Sequence, residues 1–239
     1  MDPLYLLDRF LVLSHVAAGA LGLLVAPLAM LTVKGGPAHR LWGKIFFWSM
    51  FWIFASTLGL MFFRFNFFLS IIAVLSFYMA LTGYRMLYLK RPQKGDRPIW
   101  LDWAGSIVAA LAGAGLAGWG VFGAVGMLNT NIPSVFFILG IVFGLVLLTI
   151  ALPDLIRYVR PPTDRNAWWY EHMSRMLSAY MAMVTAFMVQ NVGRQMPADW
   201  QWITWILPGL IGGPLISLWI GRYRKKFTRA PAPAVAGAD

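Results

Sequence analysis

The 239-residue chain contains no cysteine. That removes disulfides, thiolate metal sites, cysteine-ligated iron–sulfur clusters and covalently attached haem from consideration. Charge is scarce too. Only 12% of residues are charged, against about 25% in a soluble domain, so a soluble enzyme is a poor reading. Lysine is missing from the last long apolar run and from the interior of the others: Lys34, Lys90, Lys94, Lys225 and Lys226 lie between or after the runs, and Lys44 stands at the very start of the second. Retinal needs a lysine inside the last span for its Schiff base, which excludes a retinal protein. Neither a Walker loop nor a dinucleotide glycine fingerprint is present in a strand–helix context. No nucleophile–base pair identifies a hydrolase.

What the chain does have is apolar length. Hydrophobic residues make up 59% of it and aromatics 15%. A bilayer core about 30 Å thick is crossed by apolar helices of roughly 20 residues, whose backbone groups are satisfied internally. Such stretches lie near residues 5–33, 41–63, 65–89, 101–128, 134–159, 167–192 and 200–221. The expected fold is all-α: a polytopic bundle of seven transmembrane helices forming a single domain over 1–229. The tail 230–239, rich in Ala and Pro, has nothing to bury and is expected to be disordered. The apolar part of the first run, Phe10 to Val33, is too long for a signal-peptide core and follows acidic Asp2 and Asp8, so the first run is expected to be a retained span.

Seventeen of the twenty Lys and Arg residues fall in alternate gaps or the tail, leaving Arg9, Arg64 and Arg194 on the other side. Positive loops mark the cytoplasmic side, which sets the N-terminus outside and the C-terminus inside. The net charge of +11 therefore points to anionic lipid headgroups, not to nucleic acid. Trp and Tyr gather near the ends of several runs and read as an interfacial belt. The fourth run is dense in Ala and Gly from Ala109 to Gly118, which predicts close helix approach and a central position; Gly209 and Gly213 make the same prediction for the last run.

Ionisable residues inside apolar spans are costly and face the bundle interior or a cavity. His15 shares one helical face with Gly19, Gly22, Ala26 and Ala29, so it is expected to point inward, toward the outer half of the membrane. Its bland reading is a hydrogen bond to a neighbouring helix. His39 and Arg40 open the second helix from the inside, and Glu171, His172 and Arg175 open the sixth. Positive helix N-termini at that side attract anions. These five residues are candidates for one inner pocket, against the alternative that Arg40 merely snorkels to phosphate headgroups. A b-type haem needs axial ligands at one membrane depth. His39 and His172 meet that condition and His15 does not, although an interfacial depth is shallow for haem. A divalent metal such as zinc wants three or four ligands, for which Glu171 with the two histidines is a minimal set.

These positions, read together, resemble a family of bacterial predicted membrane proteins classed as a domain of unknown function. The resemblance lies in His15, Gly19 and Pro27, in Gly35-Gly36, and in His39-Arg40-x-x-Gly43-Lys44. It continues through Phe77-Tyr78, Gly83-Tyr84-Arg85, His172-x-x-Arg175-Met176, Thr185-Ala186-Phe187 with Asn191, and Trp205-x-x-Pro208. It implies a multi-pass protein of the bacterial cytoplasmic membrane, adds Arg85 and Asn191 to the candidate positions, and supplies no activity.

Three functions fit this sequence. The first is a carrier for a small ligand, an ion or a proton-linked cargo, with the inner His/Arg/carboxylate cluster as its site. The second is a redox protein holding haem or quinone through His39 and His172. The third is a structural or assembly subunit, bound to another membrane protein or to its own copies.

Overall fold

The computed structural model describes residues 2–65, 67–128 and 132–229. Seven α-helices follow in order: α1 Pro3–Leu31, α2 Pro37–Leu60, α3 Phe67–Arg85, α4 Trp100–Ala124, α5 Ser134–Val159, α6 Ala167–Asn191 and α7 Ile203–Arg229. No strand occurs among the described residues. Six stretches among them are long and apolar enough to cross a membrane: Pro3–Leu31, Pro37–Leu60, Trp100–Ala124, Ser134–Val159, Ala167–Gln195 and Ala198–Thr228. The expected disordered tail lies outside the described residues.

Local chemistry sets the helix starts. Asp2 caps α1 by accepting from the Leu4 amide at 3.0 Å, with Pro3 pre-set for the first turn. A tight turn at Gly35, whose φ of +76° suits glycine, leads through Gly36 into Pro37 at the start of α2. Asp102 accepts from the Ile99 amide at 2.8 Å and so closes the first turn of α4.

The molecule exposes large apolar side chains and buries ionisable ones within an otherwise apolar core. Leu24 is 70% and Leu111 69% exposed, whereas Asp154, Ser106 and Arg175 are buried. A water-soluble protein does the reverse with its leucines and its ion pairs; this distribution belongs to a lipid solvent.

α1 and α2 form one antiparallel hairpin, and α4 and α5 the most extensive one; α6 lies along α7. The centre is α3 and α6, which touch each other and between them reach every other helix. This corrects the expectation for α4. Its small residues run all round it, and the helix buries only the stripe Asp102, Ser106, Ala109, Gly113, Leu116 and Gly120. That stripe meets α5 so closely that a Cβ on Gly144 would lie 2.5 Å from the Ala117 amide nitrogen. Gly209 and Gly213 make no close approach either; Gly212 does, against Met181. α7 also runs past the expected end at 221, because Tyr223 and Phe227 pack on Trp169 at centroid distances of 4.5 and 5.2 Å.

Candidate functional site

The turn after α1, the segment between α3 and α4, the start of α6 and the end of α7 meet at one end of the bundle, which carries most of the positive charge. Two different constructions stand there side by side.

The first is a cavity of about 450 Å³. Its body is apolar: Ala26, Ala29 and Met30 of α1, Phe46 of α2, and Met173, Met176 and Leu177 of α6. Its mouth is basic and aromatic, with Lys34, Arg40, Lys44 and Lys90 beside Tyr84, Tyr88, Trp168, Trp169 and Trp219. Two of these cations are held in place. Lys90 Nζ lies 4.6 Å from the centre of the Trp168 ring, and Lys34 Nζ 5.3 Å from that of Trp219. The Lys34 ammonium also donates to the Met30 carbonyl, and its partial burial pulls its pKa below the ordinary lysine value.

His39 and His172 enter this cavity from α2 and α6, with ring centroids 6.5 Å apart and planes at 76°. His39 Nδ1 lies 2.9 Å from the Ala29 carbonyl oxygen and His172 Nδ1 2.7 Å from that of Gly83. A carbonyl only accepts, so each Nδ1 carries a proton, and in the neutral form of each ring the lone pair lies on Nε2. Gly83 makes the second contact possible. A Cβ there would sit 3.1 Å from both Arg175 Cβ and Met176 Sδ, so α6 passes close enough for His172 to reach the α3 backbone.

The second construction is a closed polar network. Arg175 meets Asp154 of α5 in a two-pronged pair, Nη1 to Oδ2 at 2.5 Å and Nη2 to Oδ1 at 2.7 Å. Arg175 Nη1 also donates to Thr82 Oγ1 at 2.8 Å. Glu171 completes the far side, 3.3 Å from Arg175 Nε and 2.8 Å from Arg157 Nη2. Two carboxylates thus balance two guanidinium groups. Tyr78 Oη lies 2.6 Å from Asp154 Oδ2 and 2.9 Å from Ser106 Oγ, and Ser106 Oγ lies 3.1 Å from Tyr158 Oη. A phenol has one proton and the carboxylate only accepts, so Tyr78 donates to Asp154. The remaining protons then run in sequence, from Tyr158 to Ser106 and from Ser106 to Tyr78. The chain of donors ends on the buried carboxylate and ties α3, α4, α5 and α6 together.

The expected inner pocket is therefore divided. His39, Arg40 and His172 line the cavity, while Glu171 and Arg175 turn from it into the network. Glu171 consequently does not join the histidines as a third metal ligand, and no cluster of three or more His, Cys, Asp or Glu among the described residues has ligand geometry. Arg85 grips Asp102 with two contacts, Nε to Oδ1 at 2.7 Å and Nη2 to Oδ2 at 2.8 Å, fastening α3 to α4. His15 stands apart from all of these, with Nδ1 2.9 Å from Ser56 Oγ. That is the helix-to-helix hydrogen bond of its bland reading. Asn191 donates to its own helix at the Phe187 carbonyl, 2.8 Å away, far along α6 from the cavity.

No protein-family model, curated protein or solved structure matches the chain.

Asp154, Tyr78, Ser106, Tyr158 and Arg157 carry the network, yet spacing alone does not assemble them. Tyr78 enters the sequence reading only within the Phe77-Tyr78 element, whereas Asp154 carries a physical signal of its own: it is a carboxylate inside the fifth apolar run, where an ionisable group is costly and points to a functional centre.

Proposed function

We propose that this chain is a seven-span protein of the bacterial cytoplasmic membrane, N-terminus outside, that binds a small amphipathic anion at its cytoplasmic face. The cavity carries this reading. Its volume of about 450 Å³ falls within the roughly 300–1,000 Å³ of small-molecule sites. Its apolar body and ring of four cations suit a ligand with a hydrophobic part and an anionic group. α3 serves as the seventh span: its 19 residues extend roughly 28 Å at 1.5 Å per residue, close to the hydrocarbon thickness. Bacterial origin follows from the family resemblance, and orientation from the positive loops.

Binding is favoured over passage by the state of the charged residues. A carrier of the expected design presents Arg175 and Glu171 to its cargo, whereas here both are committed to protein partners. The cavity residues His39, Arg40, Lys44 and Lys90 keep chemistry to offer.

The test uses a bromine-labelled fatty acid added to the protein in nanodiscs of neutral lipid. Trp168, Trp169 and Trp219 line the cavity, so occupancy quenches their fluorescence in a saturable way. Gly43 lines the cavity, with open space where a Cβ would project; Gly43→Leu is expected to fill it and abolish the saturable part. Joint replacement Arg40→Gln and Lys44→Gln is expected to weaken binding about tenfold, the scale of one charged hydrogen bond. Quenching that never saturates and is identical in both variants would overturn the reading.

A further inference from the structure

We propose that the amphipathic anion is an iron porphyrin, ligated on its two faces by Nε2 of His39 and His172. The inference rests on the cavity-binding reading above and names its ligand class.

Three observations converge. The first is the protonation pattern: both imidazoles give Nδ1–H to main-chain carbonyls, at 2.9 and 2.7 Å. Metal-ligating histidines are held in this way, with the second nitrogen free for the metal and the ring fixed in orientation. The second is spacing. Two metal–nitrogen bonds of roughly 2 Å each, plus the distance from each ring centre to its nitrogen, set trans imidazole centroids a little over 6 Å apart; the centroids here are 6.5 Å apart. The third is ligand count. Two imidazoles, one from α2 and one from α6, are too few for a structural zinc site, which takes four protein ligands. They match an iron porphyrin, whose ring already supplies four nitrogens and lacks two axial ones. The rest of the cavity suits the macrocycle. Phe46, Met173 and Met176 offer apolar contact to the ring, and Arg40 and Lys44 offer charge to two propionates.

The protein is purified from haem-replete cells and its visible and electron paramagnetic resonance spectra are recorded. A low-spin, six-coordinate spectrum with about one iron per chain is expected. His39→Ala and His172→Ala are each expected to convert it to a high-spin five-coordinate form or to lose the haem. Imidazole added to a folded His39→Gly variant is expected to restore the low-spin signature, which a merely structural role for His39 does not predict. Arg40→Gln with Lys44→Gln is expected to weaken haem retention without changing spin state. Preparations that are colourless and give no low-spin spectrum when titrated with haemin would overturn the proposal, as would a low-spin spectrum indifferent to both histidines. Metal-free protoporphyrin separates the two levels of inference. If it quenches the cavity tryptophans while haemin gives no low-spin species, ligation fails and cavity binding stands. If neither protoporphyrin nor the bromine-labelled fatty acid binds saturably, cavity binding itself fails.

Discussion

Asp154 has no exposed surface and Arg175 has 5%, so each depends on the other for its charge. Replacing Asp154 by Asn leaves a buried guanidinium with no directly paired carboxylate except the more distant Glu171. The expected cost is about 3–5 kcal/mol, as for other buried pairs broken from one side. It is read as a fall in the unfolding midpoint of the detergent-solubilised protein. Asp154→Leu combined with Arg175→Met removes both charges and is expected to recover most of that loss. A double variant no more stable than the single one would show that the pair is not the energetic unit. Tyr78→Phe removes one donor from the carboxylate and is expected to cost about 1–3 kcal/mol. At this scale the sequence was informative about depth but not about partners. Helical spacing brings His39 and His172 to one level, and the structure joins them in one cavity. Spacing says nothing of how α5 is rotated about its axis. Arg175 therefore looked like a neighbour of His172 in one pocket, when its partner lies on a helix 21 residues earlier.

Helix pairs in lipid gain little from burying apolar surface, since the tails outside are as apolar as the residues inside; close packing and hydrogen bonds hold them. The α4–α5 hairpin shows how local that packing is. A Cβ on Gly144 would lie 2.5 Å from the Ala117 nitrogen and 2.7 Å from the Gly113 carbonyl oxygen, both backbone atoms that cannot swing aside. Gly144→Ala is expected to cost about 1–3 kcal/mol through forced separation of the two helices. Gly115 and Gly118 face open space, so Ala at either is expected to be neutral or to stabilise by about 0.5–1 kcal/mol. Thermal unfolding of the three variants side by side checks this; equal effects would mean the glycines act through helix propensity alone. Helix number and rough limits were legible because apolar runs of this length leave few alternatives. Helix neighbours were not, because Ala and Gly all round α4 mark no preferred face, and only the partner helix selects one stripe.

Charge asymmetry at the scale of the whole molecule predicts sidedness, and the cysteine-free sequence makes it directly measurable. Single cysteines introduced at exposed loop positions give a readout with no background thiol. Asp199→Cys, between α6 and α7, is expected to react with a membrane-impermeant maleimide in intact cells. Thr163→Cys, between α5 and α6, is expected to react only after the membrane is opened. The pair that decides the number of spans flanks α3: Phe65→Cys before it and Lys94→Cys after it, both exposed. If α3 crosses the bilayer, Phe65→Cys labels from outside and Lys94→Cys only from inside. Labelling of both from one side would reduce the spans to six and place both termini together. It would also move Lys90 away from Trp168 at the start of α6, over whose ring it lies, and from Lys34, which lines the same cavity. The cavity is built only when α3 and α6 deliver their ends to the same side. Opposite labelling across α3 is therefore the expected outcome, and it tests the site together with the topology.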